Sequence, residues 1–179
     1  MIVPLAPCDT MLRMADAGAF RPVWSQNVLD EALRALERIH PGVDLSRFHS
    51  RFRSMNEAFD DALVEGWEPL AEGIELPDPN DAHVVAAALL GRADLIVTEN
   101  VKDFPESVLA PLGLEAIRTD AFLLDQYDLS PSAACRIVME QAAAMRQPPV
   151  EIAQLLERLS RSAAPGFAQR VAEALENDP

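Results

Sequence analysis

The sequence predicts an α/β fold, and three observations carry that expectation. Residues 76–104, LPDPNDAHVVAAALLGRADLIVTENVKDF, join an acid-started helical pattern to a short apolar, β-branched run at 93–97, which is half of a βαβ unit. Thr98, Glu99, Asn100 and Asp103 follow directly, at the C-terminal end of that strand, where open α/β sheets place their ligands. Hydrophobic residues make up 49% of the 179, enough to close a core without disulfides or a structural metal.

In chain order, residues 2–5 suit the tail of a strand, Pro7-Cys8-Asp9 a turn and cap, and 10–17 a short helix closed by Gly18. Residues 20–24 form a brief apolar strand candidate. Ser25 then caps an amphipathic helix with Val28, Leu29, Ala32, Leu33, Leu36 and Ile39 at helical spacing, and Glu31 lies off that stripe. Pro41-Gly42 breaks it. A second helix is expected at 45–59, apolar at Phe48, Phe52, Met55 and Phe59, and the stretches 62–64 and 67–70 flank a further strand and loop. In the 76–104 stretch Asp78 sits at the N-cap with Asp81 three residues on, ahead of Val84, Val85, Ala87 and Ala88, and Gly91 closes the helix. A loop or short helix at 105–112, an edge strand at 114–118 and a helix at 120–127 capped by Thr119 or Asp120 come next. Three helical segments, 130–145, 148–159 and 165–175, complete the pattern. The expected division is therefore an α/β domain at 1–127 and a helical extension at 128–179, which carries no obvious chemistry and suits packing or partner contact.

A net charge of −14 excludes a generic nucleic-acid binder, because sequence-independent affinity for phosphate comes from Lys and Arg. The exception is local: Arg34, Arg38, Arg47, Arg51 and Arg53 place five of the fifteen basic residues within twenty positions. These form either one basic patch on an acidic body or the solvated faces of two helices. Cys8 and Cys135 have no metal-ligand partners near them in sequence and read as small core residues of a reduced cytoplasm. No apolar run reaches the ~18 residues of a membrane span, and the start lacks the basic residues of a signal peptide. A cytoplasmic protein is expected.

Glu31 in WSQNVLDEALRAL, Asp81 in DAHVVAAAL and the pair Thr98/Asp103 in LIVTENVKDF stand in the order and spacing of the PIN-domain nucleases. Over residues 1–127 the chain resembles the VapC-type ribonuclease toxins of that family. The resemblance implies a three-layer α/β/α domain around a parallel sheet, with carboxylates at the strand ends that bind Mg²⁺ or Mn²⁺ and cut RNA. It carries metal ligation to Glu31, Asp81 and Asp103, and the placing of water to Thr98 and Asn100. It also implies a cognate antitoxin protein as partner, a homodimer and no membrane. The family's first acid lies in the first strand, usually as Asp-x-Asn; here Met1-Ile2-Val3-Pro4 aligns after it, so either that Asp and most of the strand precede Met1 or the chain has lost them.

The chemistry agrees with that implication. Three carboxylates in one cleft repel, a pair at ~4 Å by roughly 4 kcal/mol at an effective dielectric of 20, and a hard divalent cation relieves the repulsion. Each residue has a plainer reading beside it. Asp81 is also an ordinary acid of a helix start, Asp103 a turn residue, Glu31 an exposed helix acid, and Thr98 and Asn100 strand terminators. Asp78 reads as a cap and His83 as a packed residue. Two further functions compete with the metal-dependent nuclease: a catalytically inactive PIN-like protein-interaction module, and another α/β phosphoryl-transfer enzyme. The second lacks a Gly-rich phosphate loop.

Overall fold

The computed structural model describes residues 5–39, 41–42, 44–146 and 148–177, and within them two compact units, 21–116 and 5–20 with 117–177. The first unit carries the α/β pattern. β1 (Trp24–Ser25) runs parallel to β2 (Leu63–Val64), with Trp24 opposite Leu63 and Ser25 opposite Val64. β3 (Leu95–Val97) pairs with β4 (Glu115–Ile117), where the Glu115 amide donates to the Asp94 carbonyl at 3.0 Å. The sheet is thus reduced to two short pairs among the described residues, and most of the chain is helical.

The strand expected at 20–24 shrinks to its last residue plus Ser25, because Pro22 has no N–H for a ladder. Ser25 still acts as a cap: its hydroxyl accepts from the Val28 amide at 3.3 Å and opens α2 (Gln26–Ile39). α3 (Ser46–Ala58) buries Phe52 and Met55, and Asn56 on it accepts from the Trp24 indole at 2.7 Å. Residues 67–70 become α4 (Glu68–Ala71), entered through Gly66 in the left-handed region at φ 78°.

The 76–104 stretch folds as expected, with one refinement at its start. Asp78 accepts from the Asn80 amide at 2.9 Å and caps a 3₁₀ turn, Pro79–Asp81, from which α5 (Ala82–Leu90) continues. Val85 and Ala88 on α5 meet Ile96, Phe104, Leu109 and Leu114 in one core cluster. α5 closes at Gly91 as expected, although Gly91 is not itself the left-handed residue there. Gly91 has φ −75°, and the left-handed residue is Arg92 at φ 54°. Gly91 is needed for clearance instead: a Cβ there would lie 2.5 Å from Val23 Cγ1 and 3.0 Å from Val64 Cγ2. α6 (Glu106–Leu109) then leads to β4.

In the second unit α1 (Leu5–Asp16) begins earlier than expected. The strand tail placed at 2–5 lies outside the described residues except for Leu5, the first residue of α1. Pro7, Cys8 and Asp9 are helical rather than a turn, because a proline in a first turn gives up no hydrogen bond. Thr10 and Gln141 are both fully buried: the Thr10 hydroxyl donates to Gln141 Oε1 at 2.7 Å, with the Ala6 carbonyl as its alternative acceptor at 3.1 Å, and the Gln141 side-chain amide donates to that same carbonyl. α7 (Thr119–Leu129), α8 (Pro131–Ala144), α9 (Ile152–Arg161) and α10 (Pro165–Asn177) complete the unit. Cys8 and Cys135 are buried, as expected of core residues.

Asp120 caps no start of its own helix. Its two carboxylate oxygens accept from the Gly166 and Phe167 amides at 3.1 and 2.9 Å, so α7 supplies the N-terminal cap of α10. Asp120→Ala is expected to lower stability by about 1–2 kcal/mol in urea unfolding, the size of a lost N-cap. An unchanged midpoint would show that water replaces both bonds at no loss. Among the described residues, no helix is long and apolar enough to cross a membrane.

Candidate active site

The acids singled out by the sequence come from three places within the unit 21–116. α2 carries Glu31, the end of the 3₁₀ turn before α5 carries Asp81, and the 3₁₀ turn after β3, Val101–Asp103, carries Asp103. All three are partly buried. Because Asp78 does the capping, Asp81 makes no capping bond with its side chain, although it precedes Ala82. Its carboxylate is left facing other charges.

Burial is the largest cause that raises the Asp81 pKa above the ordinary aspartate value, followed by the charges of Asp78, Asp103 and Glu31, with His83 opposing them. The structure therefore brings Glu31, Asp81 and Asp103 within electrostatic reach of one another. It does not close them onto a point: among the described residues no three His, Cys, Asp or Glu side chains are grouped tightly enough to hold a metal ion. The two statements are compatible, because charges act over several ångströms whereas ligand oxygens must approach a cation to about 2.0–2.6 Å. The donor set is all hard oxygen and carries surplus negative charge, which fits a small cation that keeps several of its own waters.

The loop after β3 is internally braced. The Asn100 side-chain amide donates to the Asp103 carboxylate, and the Asn100 backbone amide donates to the Thr98 hydroxyl at 3.1 Å. Thr98, Asn100 and Asp103 thus form one connected group, with Asn100 exposed.

His83 is the residue whose place the sequence did not reveal. Its side chain is buried, and its Nε2 lies 3.2 Å from Glu31 Oε1, across 52 residues of chain. The same Glu31 oxygen faces the exposed Arg34 at 3.8 Å. His83 Nδ1 has no hydrogen-bond partner among the described residues, an arrangement that costs about 1–3 kcal/mol in a buried site. The available signal was its position two residues after Asp81; a single histidine in an apolar helix is usually just packed, and nothing local points to Glu31.

Known proteins share the segments that hold these residues. Residues 4–102 match the sequence profile described as the PIN domain, and residues 119–173 match the one described as the VapC50 C-terminal domain. Over 90 residues the chain is 40% identical to "Putative ribonuclease VapC50" of Mycobacterium tuberculosis (strain ATCC 25618 / H37Rv), an overlap of 50% of this chain and 53% of that one. The chain spans about half the length of this curated relative. No solved structure matches it. The first profile covers more than half of the chain, including Glu31 on α2, Asp81 before α5 and β3, and it ends one residue short of Asp103; the chain belongs to the PIN-domain family.

Proposed function

We propose that the chain is a Mg²⁺- or Mn²⁺-dependent endoribonuclease that hydrolyses RNA phosphodiester bonds, acting in the cytoplasm as the toxin of a type II toxin–antitoxin pair. The observation that carries this reading is the gathering of partly buried acids, with Asp81 set among Asp78, Asp103 and Glu31 so that burial and their charges raise its pKa. A pocket that holds negative charge against its own repulsion is built for a positive ligand. The relative named as a ribonuclease supports RNA as the substrate.

Glu31, Asp81 and Asp103 would hold the cation, and oxygen ligands without thiolate select Mg²⁺ or Mn²⁺ over zinc. The bound ion supplies an activated water and shields the charge that develops on the leaving oxygen. Asn100 orients the Asp103 carboxylate by donating to it, and Thr98 pins the Asn100 backbone, so the pair places the acid and the water beside it. The cognate antitoxin and a second copy of the chain are the expected protein partners.

A metal titration tests this reading. The 179-residue chain is expected to bind Mn²⁺ by calorimetry and to cut a mixed-sequence RNA with Mg²⁺ or Mn²⁺ but not with EDTA. RNA cleavage that survives EDTA would overturn the metal-dependent mechanism. The absence of a closed three-ligand group among the described residues favours a second reading, a catalytically inactive PIN-like interaction module. A chain that binds no Mn²⁺ and cuts no RNA, yet captures its antitoxin, would establish it.

A further inference from the structure

We propose that His83 is a positioning residue for Glu31, so that the start of α5, directly after Asp81, supplies the group that aims the second carboxylate of the site. The inference rests on the nuclease reading above and names a side chain which that reading does not use.

Four observations carry it. His83 Nε2 lies 3.2 Å from Glu31 Oε1, and an ionised carboxylate only accepts, so the imidazole must be the donor. The histidine is 5% exposed and Trp67 lies beside its ring, centroids 5.6 Å apart and planes tilted by 52°, so the ring is held in place. Nδ1 has no partner among the described residues, which leaves the bond to Glu31 as the imidazole's sole polar contact there. The competing partner of the same oxygen, Arg34, stands farther off at 3.8 Å with its side chain 65% exposed, where an ion pair fixes little.

The glutamate needs such a partner. Its side chain is 41% exposed and has three rotatable bonds, so without the buried imidazole it would sample solvent-facing rotamers. Partners of this kind set the orientation of a metal-binding carboxylate, and their loss typically weakens metal binding by about 10–100-fold.

The test compares His83→Leu, which fills the same apolar space without a donor, with His83→Gln, which returns an N–H near the Nε2 position. His83→Leu is expected to keep the melting temperature of the parent, bind Mn²⁺ about 10–100-fold more weakly by calorimetry, and lose kcat on RNA with KM little changed. His83→Gln is expected to recover most of both losses. In a Glu31→Gln background, His83→Leu is expected to have no further effect on Mn²⁺ affinity. Parent-like Mn²⁺ binding and kcat in a folded His83→Leu chain would overturn the proposal, and so would an undiminished effect in the Glu31→Gln background. If His83→Leu fails to fold, a His83→Gln chain that folds but binds Mn²⁺ no better than Glu31→Gln overturns it as well. A parent chain that neither binds Mn²⁺ nor cuts RNA is a different outcome and removes the nuclease reading together with this one.

Discussion

An Asp81→Asn chain is expected to melt higher than the parent at pH 7 and, if the chain is the metal-dependent nuclease proposed above, to cut RNA about 10³-fold or more slowly than the parent. The two effects have one origin. The Asp81 pKa is raised by burial first and by Asp78, Asp103 and Glu31 second, so the fold retains a proton there to higher pH than the unfolded chain does. Between the ordinary aspartate value and the raised one the native state binds more protons, and stability therefore falls as pH rises through that window. Above it the full penalty is present, and asparagine removes it. The α5 dipole favours a charge at this position by about 0.3–1 kcal/mol and works against burial and repulsion there. The gain is expected in metal-free buffer and fades as pH falls through the ordinary aspartate value, below which both states are protonated. The lost cleavage corresponds to the several kcal/mol that a correctly held cation contributes. A metal-free Asp81→Asn chain that melts below the parent at pH 7 would show that Asp81 stabilises the helix rather than strains the pocket.

The second large effect is structural. Gly91→Ala is expected to destabilise the chain by about 1–2 kcal/mol, and Gly91→Val by more. An added Cβ would stand 2.5 Å from Val23 Cγ1, with Val64 Cγ2 and the Ala87 carbonyl oxygen both at 3.0 Å. Overpacking of this kind costs about 1–3 kcal/mol. Stiffening of the unfolded chain returns only about 0.4–1 kcal/mol, since φ −75° suits alanine. The melting temperature is expected to fall by roughly 2–8 °C. Val23 and Val64 flank and form the β1–β2 pair, so the displaced strands also disturb α2, which follows β1 directly and carries Glu31. Gly91→Ala at parental stability in thermal unfolding would show that the valines rotate away freely.

Much of the fold was legible because its signals are local. The apolar spacing in α2 and α3, the Ser25 and Asp78 caps, and the prolines that separate α8, α9 and α10 all act within a few residues. What stayed hidden depends on distant chain. Pro7-Cys8-Asp9 read as a turn and cap because Pro7 and Asp9 are turn formers, yet α1 runs through them from Leu5, supported in part by Gln141 bonding the Ala6 carbonyl. Gly91 and Arg92 read as an ordinary helix stop, because sequence shows which residue tolerates a left-handed turn but not which one stands against Val23. The acids Glu31, Asp81 and Asp103 were legible as a motif in order and spacing, and their mutual repulsion appears only once the three elements are placed. The His83 bond to Glu31 spans 52 residues and leaves no periodic trace.

The Asp120 clasp determines how the end of the chain forms. α10 receives its cap from an acid 46 residues earlier, so its first amides gain these partners only where α7 lies beside it. A synthetic peptide of residues 165–177 is therefore largely coil in water, as short helices without tertiary support are. In the intact protein the amide protons of α7 and α10 are expected to exchange with deuterium as a single cooperative block; hydrogen-exchange mass spectrometry that finds α10 opening while α7 stays protected would contradict this.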